Sequence, residues 1–263
     1  MKGMEIREQK MIDRYTRHSL LRVIGPEGQE KIQHARVLVV GLGALGSTIS
    51  VLLARAGVGY LRIVDGDAPE LHNLHRQILY NEADVHEGLP KAHAAKKHLL
   101  EGNSTIVVEP YAEFVNAENV RPLLEGIDVV VDALDNIATR YLVNDCAVSM
   151  HIPYVFGGAV ETVGNVMSII PGRTACLRCL WPDPEAVKNH PTASTVGVLS
   201  AVASAVASIE VAECLKILVG SLDDLIPGLL VIELWANQYQ IVALKPDPGC
   251  ICAKVAHRDV PRP

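Results

Sequence analysis

An α/β fold, with a mostly parallel sheet flanked by helices, is predicted by three features of residues 35–170. Apolar runs of strand length alternate with segments of helical period, the pattern of strand–helix–strand units that close into a right-handed parallel arrangement. The first run, RVLVVG, ends in Gly41-x-Gly43-x-x-Gly46 and leads directly into a helical stretch. Two later runs end in acids, VDGD at residues 64–67 and DALDN at 132–136. Acids at the carboxyl ends of strands lie where open α/β sheets bind ligands.

The elements follow in chain order. IREQKMIDRYTRHSLLRVIGPEGQEKIQ, residues 6–33, reads as helix, turn, helix, punctuated by Gly25, Pro26 and Gly28. RVLVVG is short and wholly apolar, so it is a buried strand. STISVLLARAG keeps helical spacing up to a stop at Gly57. YLRIVDGD is a second strand, and KAHAAKKHLLEGN is a helix ending at Gly102. TIVVEPYAEF, residues 105–114, gives a third strand and DVVVDALDN, residues 128–136, a fourth. TRYLVNDCAVSM, residues 139–150, is helical, and PYVFGGAVETVGNVMSIIP is two strands joined by a turn. Past Pro171 the texture changes to RTACLRCLWPDPEAVKNHPTAST, a Pro- and Cys-rich excursion. The helix GVLSAVASAVASIEVAECLKILVG follows, then two late antiparallel strands in LLVIELWANQYQIVALKP, then the tail PGCICAKVAHRDVPRP.

A length of 263 residues is long for one compact domain and short for two, so one large domain with an appendage is expected. Hydrophobic residues make up 49% of the chain but aromatics only 4%, so the core must be built of Val, Leu, Ile and Ala. A net charge of -6 lacks the basic footprint that nucleic-acid binding needs, which disfavours such a partner. MKGMEIREQK has no apolar core and does not read as a signal peptide. The weakly polar run at residues 196–211 contains Ser200, Ser204, Ser208 and Glu210 and is too short and polar for a membrane span. A cytoplasmic location is expected, and there the six cysteines are not disulfides.

In the glycine loop, Gly41 permits a tight turn, Gly43 lets the backbone approach a phosphate, and Gly46 allows close helix–strand packing. The helix beginning there offers unpaired N–H groups to an anion. Asp65 follows at about the 20-residue interval of a ribose-binding acid. The fold expected is therefore Rossmann-like, and the question is which nucleotide it holds. The bridged phosphates of NAD are satisfied mostly by backbone donors. A triphosphate with a leaving pyrophosphate calls for fixed cations and a metal. Asn73, Arg76 and Gln77 in NLHRQ, together with Lys91, supply such amide and cationic groups just past the ribose acid. Asp132 and Asp135 end the fourth strand, and either carboxylate suits Mg²⁺.

These motifs together resemble the ThiF/MoeB/HesA family, bacterial relatives of ubiquitin-activating enzymes. The matching stretches are RYTRH at residues 14–18, GPEGQEKI at 25–32, GLGALG, VDGD, NLHRQ, the Lys91 helix and DALDN with Arg140. FGGAV at 156–160, Cys176-Leu-Arg-Cys179, GVLSAVASAVASIEVAECLKIL and PGCIC continue the likeness in order over nearly the whole chain. The resemblance implies one ThiF-like adenylation domain over residues 1–263. Its parts would be N-terminal helices (1–34), a nucleotide-binding core (35–170), a crossover loop with the CxxC (171–195), and the last helix, strands and second Cys pair (196–263). It implies a homodimeric, ATP-dependent adenylyltransferase using Mg²⁺ and Zn²⁺. The partner would be a small ubiquitin-like sulfur-carrier protein ending in Gly-Gly, in a molybdopterin, thiamine or related sulfur pathway. Its C-terminal carboxylate would become an acyl-adenylate as pyrophosphate leaves. Carried onto this chain, Arg76 and Lys91 neutralise the leaving charge, with Mg²⁺ on Asp135. Asp65 holds the ribose, Asn73 and Gln77 position phosphates, and Asp67 and Asn136 complete the nucleotide site. Arg14 reaches in trans into the neighbouring subunit's site. No general base is needed, because a C-terminal carboxylate is already ionised at neutral pH.

Three positions depart from the family pattern. Relatives complete a structural Zn²⁺ site with two Cys-x-x-Cys pairs, whereas here Cys176 and Cys179 are matched by Cys250-Ile-Cys252, one residue short. A Cys₄ zinc site is still expected, with His257 as the substitute if one thiolate is left out. Many relatives carry a cysteine before the Gly-Val of the long helix, for a covalent link to the carrier. Ala193 occupies that place, and the neutral hydroxyls of Ser194 and Thr195 are poor replacements without an activating base. Adenylation without a cysteine thioester is therefore expected, with a separate sulfur donor attacking the adenylate. Ala44 stands where relatives often have another Gly. Cys146 and Cys214, among apolar neighbours in helical stretches, read as packing residues. The competing readings are adenylation of a peptide or modified tRNA carboxylate, an NAD-dependent oxidoreductase, and a non-catalytic scaffold. The oxidoreductase leaves NLHRQ and Lys91 unexplained, and intact Arg76, Lys91 and Asp135 speak against the scaffold.

Overall fold

The computed structural model describes residues 14–187 and 191–255. Its strands are β1 (Arg36–Val40), β2 (Tyr60–Val64), β3 (Val107–Tyr111), β4 (Val129–Asp132), β5 (Tyr154–Val160), β6 (Val163–Ile169), β7 (Leu229–Glu233) and β8 (Gln238–Val242). They form one sheet in the order β3-β2-β1-β4-β5-β6-β7-β8. Strands β1 to β5 pair in parallel, and β6, β7 and β8 follow antiparallel. The principal helices are α1 (Gly25–His34), α2 (Ala44–Ala56), α3 (Lys91–Gly102), α4 (Ile137–Ser149) and α5 (Ser200–Val219).

The apolar runs are explained by burial on both faces. Along β1, Val37 and Val39 belong to the core shared with α2, α3 and α5, while Leu38 and Val40 belong to the core under α4. Along β4, Val129 and Val131 face the first core and Val130 the second. The expected architecture is thus observed, including the late antiparallel pair, where Leu229 stands opposite Val242. Strand order reverses between β2 and β4 around β1, which puts the carboxyl ends of these strands around a switch-point crevice.

The differences are local. The helix expected from residue 139 starts at Ile137, because the Asn136 side chain caps it by accepting from the Thr139 N–H at 2.8 Å. The helices Glu82–Glu87 and Val120–Leu124 had no sequence counterpart, since each is too short to show a period. Among its described residues, the Pro- and Cys-rich excursion forms the single-turn helices Leu177–Leu180 and Pro184–Val187 and runs into Ala193–Val196. The first of the N-terminal helices expected from sequence falls mainly on residues outside the described ones, as does His257. Among the described residues no helix is long and apolar enough to cross a membrane.

Candidate active site

The glycine loop closes the crevice floor. A Cβ on Gly46 would stand 1.9 Å from the Gly41 carbonyl oxygen, so only glycine permits this strand–helix contact. Gly43 differs: a Cβ there would meet only the Gln77 amide nitrogen, at 3.8 Å, which leaves the backbone open to a ligand. α2 begins at Ala44 with no side-chain cap at Gly43, so its first-turn N–H groups point at the same opening.

Asp65 is fastened to this loop. Its carboxylate accepts from the Leu42 N–H at 2.7 Å and the Asp67 N–H at 2.8 Å. Burial pushes its pKa up, and Lys91 and the two N–H donors pull it back. Lys91 is the first residue of α3 and only 6% exposed. Its ammonium lies 3.1 Å from the Asp67 carboxylate, and its N–H donates to the Asp67 carbonyl at 2.8 Å. Asp67, assigned to the nucleotide from sequence, is therefore the counter-ion of Lys91 in this structure.

The NLHRQ residues divide. Asn73 is buried and its oxygen accepts from the Glu70 N–H at 3.2 Å, holding the turn Leu71–Asn73. Gln77 is buried against Gly43, and its Oε1 has no hydrogen-bond partner among the described residues. An orphaned buried acceptor of this kind costs about 1–3 kcal/mol and fits a donor supplied by a ligand. Arg76 is half-buried and gives one guanidinium N–H to the His72 carbonyl at 2.9 Å.

At the end of β4 the two acids have opposite environments. Asp132 is fully buried, accepting from the Tyr154 hydroxyl at 2.5 Å and the Leu134 N–H at 2.7 Å, with Arg140 at 3.4 Å. Asp135 is exposed, so it is the acid whose oxygens suit Mg²⁺. Asn136 is engaged as the α4 cap. Arg140, which carried no site assignment from sequence, donates to the carbonyls of Leu134 and Gly157 and so ties the Asp135 loop to β5. Its only signal in the sequence is its place in the family likeness, after DALDN. Arg14 is exposed and bonds the Gly102 carbonyl of its own chain at 3.0 Å.

The cysteines converge despite the shortened second pair. The sulfurs of Cys176, Cys179, Cys250 and Cys252 lie within 4.8 Å of one another, with Cys176–Cys250 at 3.6 Å and Cys179–Cys252 at 3.5 Å. Tetrahedral Zn–S bonds of about 2.3 Å require S···S separations of about 3.8 Å. The donor set and spacing fit zinc or another thiophilic ion. Burial pushes the Cys176 thiol up to about 11 and Cys252 further, so metal binding must displace protons. Cys214 is fully buried and Cys146 is half-buried with its sulfur 3.7 Å from that of Met150, as packing residues are. Ala193 opens the helix Ala193–Val196. Thr192, its cap, receives the Thr195 hydroxyl's attention on both its N–H and its carbonyl, and its own hydroxyl lies 2.8 Å from that of Ser194.

The model of the ThiF family matches residues 15–252. A Bacillus subtilis protein named sulfur carrier protein ThiS adenylyltransferase is 40% identical, covering 91% of this chain and 72% of that protein. A Thermus thermophilus protein named sulfur carrier protein adenylyltransferase is 39% identical, covering 91% of this chain and 89% of that one. In fold, the chain is similar to E. coli MccB crystallised with MccA-N7isoASN, at a TM-score of 0.79 and 25% identity, covering 92% of this chain and 74% of that one. The chain belongs to the ThiF family, whose B. subtilis and T. thermophilus members are both named adenylyltransferases.

Proposed function

We propose that the chain adenylates the C-terminal carboxylate of a small ubiquitin-like sulfur-carrier protein ending in Gly-Gly, giving an acyl-adenylate and pyrophosphate. The observation that carries this reading is Lys91, a buried ammonium at the N-terminus of α3, whose charge acts on Asp65, the acid bonded to the Leu42 N–H of the glycine loop. Backbone donors suffice for a dinucleotide's phosphates. A buried cation is needed where a leaving pyrophosphate develops charge. The names of the B. subtilis and T. thermophilus relatives point to the same carrier class.

The carboxylate attacks the α-phosphorus in line. It is ionised at neutral pH, so positioning and charge neutralisation are the chain's contribution. Lys91 and Arg76 face the oxygens that gain charge as pyrophosphate departs, while Asp65 holds the ribose hydroxyls. Asp135 is the residue that would hold Mg²⁺, which would share the triphosphate's charge. The four cysteines would hold a structural zinc. With Ala193 in the crossover loop, the reading includes no thioester: a separate sulfur donor attacks the adenylate directly. The active unit is a homodimer in which Arg14 serves the neighbouring site.

A second reading is adenylation of a peptide carboxylate; MccB, which the chain is similar to in fold, was crystallised with MccA-N7isoASN. A tRNA substrate fits the net charge of -6 poorly. ATP–pyrophosphate exchange separates them. Exchange dependent on a Gly-Gly-ending carrier is expected, whereas exchange with a short peptide alone would favour the second reading. NADH binding with no exchange would overturn both.

A further inference from the structure

Phe114, in the loop after β3, is one of two phenylalanines in the chain and is 66% exposed. Its loop is firmly built. The Phe114 carbonyl accepts from the Asn119 amide at 2.9 Å, Asn116 and Asn119 bond each other's backbone N–H at 2.8 and 3.2 Å, and Asn116 also accepts from Glu118 N–H at 2.8 Å. The ring rests on Gly66, where an added Cβ would stand 2.6 to 2.7 Å from the ring carbons. Gly66 lies between Asp65 and Asp67, and Val64 of β2 pairs with Tyr111 of β3, so the loops after the two strands are neighbours.

We infer that Phe114 is the stacking platform for the nucleobase of the bound triphosphate and favours purine over pyrimidine nucleotides. The inference rests on the proposed ATP site. A ribose held by Asp65 would carry its base one glycosidic bond away, toward Gly66, against which the largely exposed Phe114 ring stands. Stacking between a base and an aromatic side chain is lost on truncation at about 1–3 kcal/mol, which corresponds to roughly a 5- to 150-fold weaker affinity. A larger purine has more surface to stack than a pyrimidine.

The test compares the wild-type chain with Phe114→Ala, Phe114→Leu and Phe114→Tyr. The readouts are ATP and CTP affinity by titration calorimetry, KM and kcat in exchange, and fluorescence of 2-aminopurine riboside triphosphate. Phe114→Ala and Phe114→Leu should raise the ATP KM at least about five-fold with kcat retained, narrow the ATP–CTP gap, and abolish quenching of the 2-aminopurine. Phe114→Tyr should restore all three. Wild-type exchange with an unchanged KM in Phe114→Ala, or full rescue by leucine, would overturn the platform and leave the ATP site standing. A wild-type chain that binds no ATP would overturn the nucleotide reading itself, and this inference with it.

Discussion

Replacing Glu210 by glutamine should make stability less dependent on pH. Glu210 lies on α5, fully buried, and neither carboxyl oxygen has a hydrogen-bond partner among the described residues. It packs against Gly157, where an added Cβ would stand 2.1 Å from its carboxyl carbon. The charged groups that act on it are Asp132 on β4 and Arg140 on α4. One cation thus serves two carboxyls. Asp132 has the Tyr154 hydroxyl, the Leu134 N–H and the guanidinium at 3.4 Å, whereas neither Glu210 oxygen has a hydrogen-bond partner among the described residues, so burial raises both pKa values but that of Glu210 further. Burial pushes the Glu210 pKa well above the usual carboxylate range, the Asp132 charge adds to this, and Arg140 opposes it. An unfolded glutamate titrates near about 4.3. Between that value and the raised folded one, the native chain binds one more proton than the unfolded chain. Stability therefore falls as pH rises through the window, by about 1.36 kcal/mol per unit. Gln keeps the shape and removes the titration. The advantage of Glu210→Gln over wild type should therefore grow as pH rises from the unfolded value toward the raised folded one, with a slope of up to about 1.36 kcal/mol per pH unit. Urea unfolding followed by circular dichroism at several pH values measures it. A difference that stays flat with pH would mean that Glu210 is ionised in the fold, and the reasoning would be refuted.

Other outcomes follow from the site. Lys91→Ala and Arg76→Ala should each lower ATP–pyrophosphate exchange by about 10²-fold or more while the unfolding midpoint stays near wild type; unchanged exchange would remove that residue from the site. Unfolding the purified chain should release about one zinc equivalent to a chromogenic chelator, and Cys252→Ser should release less and melt several degrees lower. A chain that carries no thiophilic metal, with an unaltered melt in the variant, would end the metal assignment. Incubation with carrier and ATP should leave no reducible carrier–enzyme conjugate on a non-reducing gel. A band that disappears with thiol would contradict the absence of a thioester.

The sequence revealed most where one physical demand dominates. β1 and β4 are legible because each is buried on both faces, which leaves only Val and Leu between a leading Arg36 in β1 and the terminal Asp132 in β4. Glu82–Glu87 shows no period, and its cap is carried by side chains: Asn81 and Asp84 bond each other's backbone N–H. Asp132 and Asp135 look alike in sequence. Only the fold brings Tyr154 and Arg140 onto one and leaves the other exposed. Glu210 reads as a polar interruption in an apolar helix, because its neighbours Gly157 and Arg140 come from distant stretches of chain. The Cys250–Cys252 spacing looked one residue short, yet the start of a helix at Ile251 turns the two sulfurs to the same side as Cys176 and Cys179.

The Lys91–Asp67 pair shows how the site tolerates a buried ammonium before nucleotide arrives. A buried charge without a counter-ion costs several kcal/mol. Asp67 supplies the counter-ion from the rim: its side chain is 57% exposed, against 7% for Lys91. The pair is therefore asymmetric. If a triphosphate displaces Asp67, the acid turns to water and keeps most of its solvation, while Lys91 exchanges one anion for a more highly charged one. The exchange leaves no buried charge unpaired in either state, and it needs no rearrangement of α3, whose first N–H is bonded to the Asp67 carbonyl and not to its carboxylate. A dinucleotide met by backbone donors would give no return for holding Lys91 in this position. The cation suits the proposed adenylation, in which negative charge grows on the departing pyrophosphate.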